Sequence, residues 1–299
     1  MPAAATFFAF FTILLWSFLA YLSSRLIHIP SFLLIGLALC IGGLVGIWQV
    51  RAWKVPVKTL AVGIAGLFGY HFLLFTAFKN APVVEANLIN YLWPLLIVLL
   101  SPLILSGTRL GWHHLLGGAV AFAGVALIVT GGSFHPDLGH LPGYLLAAAA
   151  ALTWSCYSLL TKRLPPFPTG AVGAFCFAGG VLSLGIFALQ GGTPAALGQL
   201  SSTDWILLIL IGGGPLGTAF YTWDAALKRG DPRVIGSLAY LTPLASTLVL
   251  VLLGGKSLTW VSAAAVVLIV GGAVLGSREL FASRGRDRDI LGTGSASQG

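Results

Sequence analysis

Between Pro82 and Leu95 the chain reads PVVEANLINYLWPL. Asn87, Asn90, Tyr91 and Pro94 recur there at i, i+3, i+4 and i+7, which on a helix puts two amides, a phenol and a proline on one face. Amides and phenols donate and accept hydrogen bonds, so such a face can meet a carboxylate and an ammonium alike. The proline adds a break: it cannot donate to the carbonyl four residues back, and broken backbone at membrane depth is tolerated where it faces protein or a wet cavity. Residues 231 to 244, DPRVIGSLAYLTPL, repeat the pattern, with Tyr91-Leu92-Trp93-Pro94 falling on Tyr240-Leu241-Thr242-Pro243 at an offset of 149. Paired interrupted segments in two halves of a membrane protein point to a binding site.

An unpaired polar group in an apolar interior costs several kcal/mol, so Asn87, Asn90, Tyr91, Ser237 and Tyr240 bond either neighbouring helices or a transported solute. At 1.5 Å per residue from Pro82, Asn90 lies roughly 12 Å into the membrane, close to the midplane. Trp16, Trp93, Trp154 and Trp223 fall inside apolar spans, where indole either fills a core gap or lines a cavity. Trp48, Trp53, Trp112, Trp205 and Trp260 fall at span ends, where indole suits the interface. A cavity ringed by amides, phenols and indoles suits an amphipathic, partly aromatic solute.

Ionisable groups are scarce. Glu85 opens the fourth span, Asp224 lies one helical turn from Lys228, and His71 is the titratable group of near-neutral reference pKa near mid-depth. No pair of buried carboxylates is available for a proton relay. Passage down the solute's own gradient is therefore expected, with proton coupling through His71 as the alternative to a structural histidine. There is no GxSxG elbow and no HExxH, and Gly213-Gly214-Pro215-Leu216-Gly217 lacks the strand context of a nucleotide loop, so no enzyme is expected. His135 and His140 read as solvated loop residues, and neither a metal nor a cofactor is expected. Cys40, Cys156 and Cys176 all fall inside spans and read as packing residues.

The elements that position these residues follow from composition. With 57% hydrophobic and 8% charged residues among 299, the chain has too few charges to cover a soluble globule of its size. Apolar windows of about 20 residues, the length that crosses a bilayer, recur near 6–25, 32–50, 59–78, 83–105, 112–131, 142–161, 170–190, 204–227, 234–253 and 258–277. The first has no Lys or Arg before it and is read as a retained span. Counting Lys and Arg by alternate loops puts thirteen on one side and three on the other, which predicts both termini in the cytoplasm. The net charge of +8 is thus a topology signal, and nucleic acid is not expected as a partner.

The spans themselves repeat. At an offset of 138, Trp16, Ser17, Arg25 and Pro30 meet Trp154, Ser155, Arg163 and Pro168. The third and eighth spans match at Lys79 and Lys228 and are both broken by glycine, and the fifth and tenth match at Trp112 with Trp260 and Gly124 with Gly272. The predicted fold is all-α, with ten transmembrane helices as two five-helix repeats, 1–135 and 136–281, followed by a disordered cytoplasmic tail, 282–299. Because five is odd, the second repeat enters the membrane from the opposite face, giving inverted repeats of the kind that transporters rock between two openings. A channel is the alternative class.

The paired Trp-Ser helices, the Tyr-Leu-x-Pro-Leu motif in both halves and the run from Gly111-Trp112 to Gly124-Val125-Ala126-Leu127 resemble the EamA-type drug/metabolite transporter superfamily over residues 6 to 280. The Asn-Tyr-Leu-Trp-Pro-Leu stretch is most similar to its YddG group of aromatic amino acid exporters. The resemblance implies a ten-helix, inner-membrane exporter of Phe, Tyr, Trp and some aromatic toxic compounds, with a central cavity, working in the lipid bilayer and read here as a monomer. A broad drug or metabolite exporter using the same cavity is the runner-up. Trp16, Asn90, Tyr91, Trp93, Trp154 and Tyr240 match as cavity residues. Many members of the family carry Gly-Glu where this chain has Gly107-Thr108 and Gly255-Lys256, so no role for those carboxylates carries over. In the expected mechanism the fourth and ninth spans bend at Pro94 and Pro243 to open opposite mouths.

Overall fold

The computed structural model describes residues 1–133, 137–255 and 260–276. The predicted tail, His135 and Lys256 lie outside the described residues. Ten principal helical segments follow one another: α1 Ala3–Ser24, α2 Ser31–Val45, α3 Val57–Asn80, α4 Val83–Ile104, α5 Trp112–Thr130, α6 Leu138–Arg163, α7 Thr169–Leu189, α8 Ser202–Arg229, α9 Pro232–Leu252 and α10 Trp260–Gly276. No strand occurs among the described residues. Eight of the segments, all but α2 and α10, are long and apolar enough to cross a membrane. Side chains such as Phe7, Leu145, Ile206 and Val267 stand exposed on the outside, as a lipid-facing surface requires.

The expected second span, 32–50, is interrupted. Its helix ends at Val45, and Ile47–Trp53 continues as a 3₁₀ run bent by 90°. The cause is local. The Tyr221 hydroxyl donates to the Gly42 and Gly43 carbonyls, at 3.3 and 3.2 Å, and satisfies the helix end. A Cβ built on Gly46 would lie 2.6 Å from that hydroxyl, so the tyrosine fits because position 46 has no side chain.

The glycine-broken spans α3 and α8 each carry a π-helical turn, Ala65–Gly69 and Gly214–Thr218, and a shift of 149 residues carries one onto the other. Carbonyls at such a turn need partners. Leu67 receives Nδ1 of His71 at 2.6 Å, Gly213 receives the Thr218 hydroxyl at 2.6 Å, and Pro215 receives Nε1 of Trp16 at 3.1 Å.

The proline breaks are real but lie upstream of the prolines. The first part of α4 runs Val83–Asn90 and its second part Trp93–Ile104; α9 divides into Pro232–Ala239 and Leu241–Leu252. Asn90 and Ala239 are the residues four before Pro94 and Pro243. A proline ring clashes with the carbonyl at that distance and brings no N–H to it, so the helix ends there, while proline itself is well placed in the first turn of the next piece. Within α4 and α9 the helix is interrupted at Tyr91-Leu92 and at Tyr240, just upstream of Pro94 and Pro243.

The halves interlock rather than sit side by side. α1 packs on α8 and α9, α6 packs on α3 and α4, α2 on α7, and α5 on α10. At the last contact the backbones nearly touch: a Cβ on Gly117 would lie 2.4 Å from the Gly276 nitrogen, and one on Gly272 2.4 Å from the Ala121 nitrogen.

Candidate functional site

Four helices, α1, α4, α6 and α8, each bring one tryptophan to the centre of the bundle. Trp16, Trp93, Trp154 and Trp223 touch one another in every pairing, with ring centroids 5.2 to 6.3 Å apart. Edge-to-face pairs dominate, the arrangement that ring quadrupoles favour. Trp93, Trp154 and Trp223 are buried and Trp16 is half-buried. The indole N–H of Trp223 donates to the Ser158 hydroxyl at 3.0 Å, and the Ser155 hydroxyl crosses to the Trp93 carbonyl at 2.9 Å. The serine beside Trp154 thus ties α6 to the broken helix α4.

Phe220 and Tyr70 extend the cluster, at 5.6 and 5.3 Å from Trp154. Asn90 reaches it through Tyr70, its Nδ2 lying 3.2 Å from the Tyr70 hydroxyl oxygen. The other amide atom of Asn90, Oδ1, is buried with no hydrogen-bond partner. His71 lies beside Tyr70 at 4.9 Å and Phe220 at 6.1 Å, with Nδ1 committed to the Leu67 carbonyl. Because that carbonyl only accepts, Nδ1 carries a proton in this bond. Asn87 is half-buried one turn before Asn90.

Tyr91 and Tyr240 belong to a second cluster, with Leu95, Ala121, Val125 and Ile269, against α5 and α10. Tyr240 is fully buried, and its hydroxyl has no hydrogen-bond partner. The site predicted from sequence therefore divides: Trp16, Trp93, Trp154 and Asn90 converge, with Asn87 nearby, while Tyr91 and Tyr240 sit with α5 and α10.

Tyr70, Phe220 and Trp223 were absent from the predicted site. A signal existed, since a shift of 149 residues puts His71 on Phe220, and these two meet in space. Trp16 and Trp154, matched at an offset of 138, meet as well.

Charged groups stand at the helix ends. Asp224 is paired with Lys228 at 2.7 Å and receives the Thr169 hydroxyl at 2.7 Å, fastening the start of α7 to α8. Glu85 receives the Tyr144 hydroxyl. A cleft of about 620 Å³ opens at the end of the bundle where Lys and Arg are densest, between the end of α4, the end of α6 and the α8–α9 turn. In that turn Asp231 is gripped by Arg233. Burial works to raise the Asp231 carboxyl, but the Arg233 guanidinium and backbone N–H outweigh it and hold it below the ordinary carboxylate range.

The EamA-like transporter family matches residues 2–130 and again 141–278, one copy on each set of five helical segments. The chain belongs to that family. It is 43% identical over 284 residues, 91% of this chain and 96% of the relative, to the aromatic amino acid exporter YddG of Ancylobacter novellus. It is 26% identical to a probable amino-acid metabolite efflux pump of Salmonella typhimurium, over 89% of this chain and 92% of that one. A solved crystal structure with 40% sequence identity superposes with a TM-score of 0.84, covering 93% of this chain and 98% of the other. The EamA chain described here is a multi-pass membrane transporter, and the tryptophan cluster lies where its two family repeats meet.

Proposed function

We propose that this transporter exports aromatic amino acids by alternating access through the tryptophan cluster. One observation carries the reading: four indoles drawn from both repeats meet beside an asparagine whose second amide atom is buried and unpaired. The indoles would exchange their mutual contacts, worth about 0.5–1.5 kcal/mol per ring pair, for stacking on a solute ring. Asn90, with Asn87, would meet its carboxylate and ammonium, and Tyr91 and Tyr240, which sit against α5 and α10 in this conformation, would join them only when the broken helices move. The zwitterion's own charges lie close enough to need no full countercharge. The name of the Ancylobacter relative supports the substrate class.

In this reading ten spans form two inverted repeats, 1–135 and 136–281, in the inner membrane, with the Lys- and Arg-rich end and both termini in the cytoplasm. Reciprocal contacts support it: α1 lies on α8 as α6 lies on α3, and the matched pairs Trp16 with Trp154 and His71 with Phe220 each meet in space. The hinges are the breaks that Pro94 and Pro243 impose. The bond from His71 to Leu67 supports a structural histidine and passage down the solute gradient, with no proton coupled.

Uptake of labelled Phe into liposomes holding the purified protein tests the assignment, run with and without an imposed pH gradient and with cationic dyes as competitors. Saturable flux with counterflow and no pH drive is expected. Absence of Phe flux, or an ohmic current, would overturn it. Trp16→Ala, Asn90→Ala and Tyr240→Phe should each lower flux in a folded protein.

A further inference from the structure

The cleft at the Lys- and Arg-rich end has a charge balance and a position that the transport reading does not use. Three of the four tryptophan-bearing helices finish in it: α4 at Ile104, α6 at Lys162 and Arg163, and α8 just before Gly230. Lys162 is eight residues from Trp154, so the cleft lies roughly 12 Å along α6 from the ring cluster. Its carboxylate, Asp231, is taken up by Arg233, which also donates to the Arg109 carbonyl. Lys162 and Arg163 are both exposed, and the bonds they make go to main-chain oxygens: Lys162 Nζ to Gly230 at 2.6 Å and Arg163 Nη1 to Ile104 at 3.1 Å.

Those two bonds have an ordinary use, since cations at helix C-termini satisfy terminal carbonyls. Each uses a single donor, however. An ammonium has three and a guanidinium five, so further donors remain on two neighbouring cations that the backbone already holds in place. Cations concentrated in a cleft also raise the local concentration of anions.

We infer that this cleft is a docking site for the carboxylate of the solute, held between Lys162 and Arg163 before the solute passes to the tryptophans. The inference rests on the proposed transport function and adds an entry step with its own selectivity: an aromatic acid is captured there and its uncharged amide is not. An oxyanion of the same chemistry could come from an anionic lipid headgroup. The cleft's place at the ends of the tryptophan helices favours the solute.

The test reads Lys162 acetylation by a water-soluble acylating reagent, followed by mass spectrometry, in nanodiscs of phosphatidylcholine alone. The probes are 3-phenylpropionate and 3-phenylpropanamide, which lack a competing amine and differ in the carboxylate. Saturable protection by the acid is expected, about tenfold at ten times its dissociation constant, with none from the amide. Arg163→Gln should weaken that protection about tenfold while Arg163→Lys keeps most of it. Equal labelling with and without the acid would overturn the site. So would protection that appears only when phosphatidylglycerol is added and does not respond to the acid, since the cleft would then hold lipid. Phe flux in the same preparation separates the two claims: protection without Phe flux refutes the substrate, and Phe flux without protection refutes the docking site alone.

Discussion

The two broken helices share a backbone and differ in what they present. In α4 the break reads Asn90-Tyr91-Leu92-Trp93-Pro94, and in α9 it reads Ala239-Tyr240-Leu241-Thr242-Pro243. Each first piece stops four residues before its proline, because the same steric conflict acts on both. The side chains then diverge. Trp93 joins the central indoles and Asn90 bonds Tyr70, whereas Thr242 is buried with an unpartnered hydroxyl and Ala239 has no polar group to offer. Duplication accounts for the bend, and divergence has placed the aromatic surface on one copy.

That contrast is breakable. Trp93→Ala should give the largest effect, removing three indole contacts and about 3–5 kcal/mol of stability, with Phe flux falling at least tenfold at equal protein. Thr242→Ala, the matched position, should change flux less than twofold, since it deletes a hydroxyl that has no partner to lose. Equal losses at the two positions in a liposome assay would show that the breaks are functionally alike. Next comes Asn90→Ala, expected to lower flux about tenfold, the worth of one hydrogen bond to a charged group. Adding Ala239→Asn should restore nothing, because position 239 lies on α9 whereas the bond to Tyr70 is made from α4.

Much of the architecture was legible in the sequence, because crossing a bilayer demands long apolar runs and exposes little else. Predicted spans such as 83–105 and 170–190 lie within a residue or so of Val83–Ile104 and Thr169–Leu189. The turn after Val45 was not legible, since it depends on Tyr221 reaching across from α8. The site was legible in parts. Tryptophan inside a span marks an exception to interfacial placement, so Trp16, Trp93, Trp154 and Trp223 stood out individually. Their meeting depends on how four helices rotate about their axes, which periodicity within one helix does not specify. Tyr70 and Phe220 escaped for the same reason. Pro94 and Pro243 are visible in the sequence, and the interruptions at Tyr91-Leu92 and Tyr240 begin at the carbonyls that those prolines leave without an N–H.

Smaller effects sharpen the comparison. Pro94→Ala and Pro243→Ala should each lower flux severalfold by a similar factor, since each restores the hydrogen bond that proline denies and straightens its own helix. A large difference between them would mean that only one break moves during transport. Measured side by side in liposomes, the two variants isolate the backbone device from the side chains that decorate it.

The smallest effect concerns how each broken helix starts. A shift of 149 residues puts Pro82 on Asp231: α4 begins after a proline with no side-chain cap, and α9 begins after an aspartate that accepts from the Arg233 N–H at 2.9 Å. Asp231→Asn keeps a capping side chain but loses the ion pair with Arg233, and should cost about 1 kcal/mol in thermal unfolding of the purified protein. Because folding lowers the Asp231 pKa, its stabilisation is complete above the unfolded value of about 4 and disappears as pH falls through the lower folded value. Wild type should therefore lose its advantage over Asp231→Asn only below about pH 4 and keep it unchanged from pH 5 to 8. An advantage that faded near neutral pH would mean that a group other than the Asp231 carboxylate sets the strength of this start.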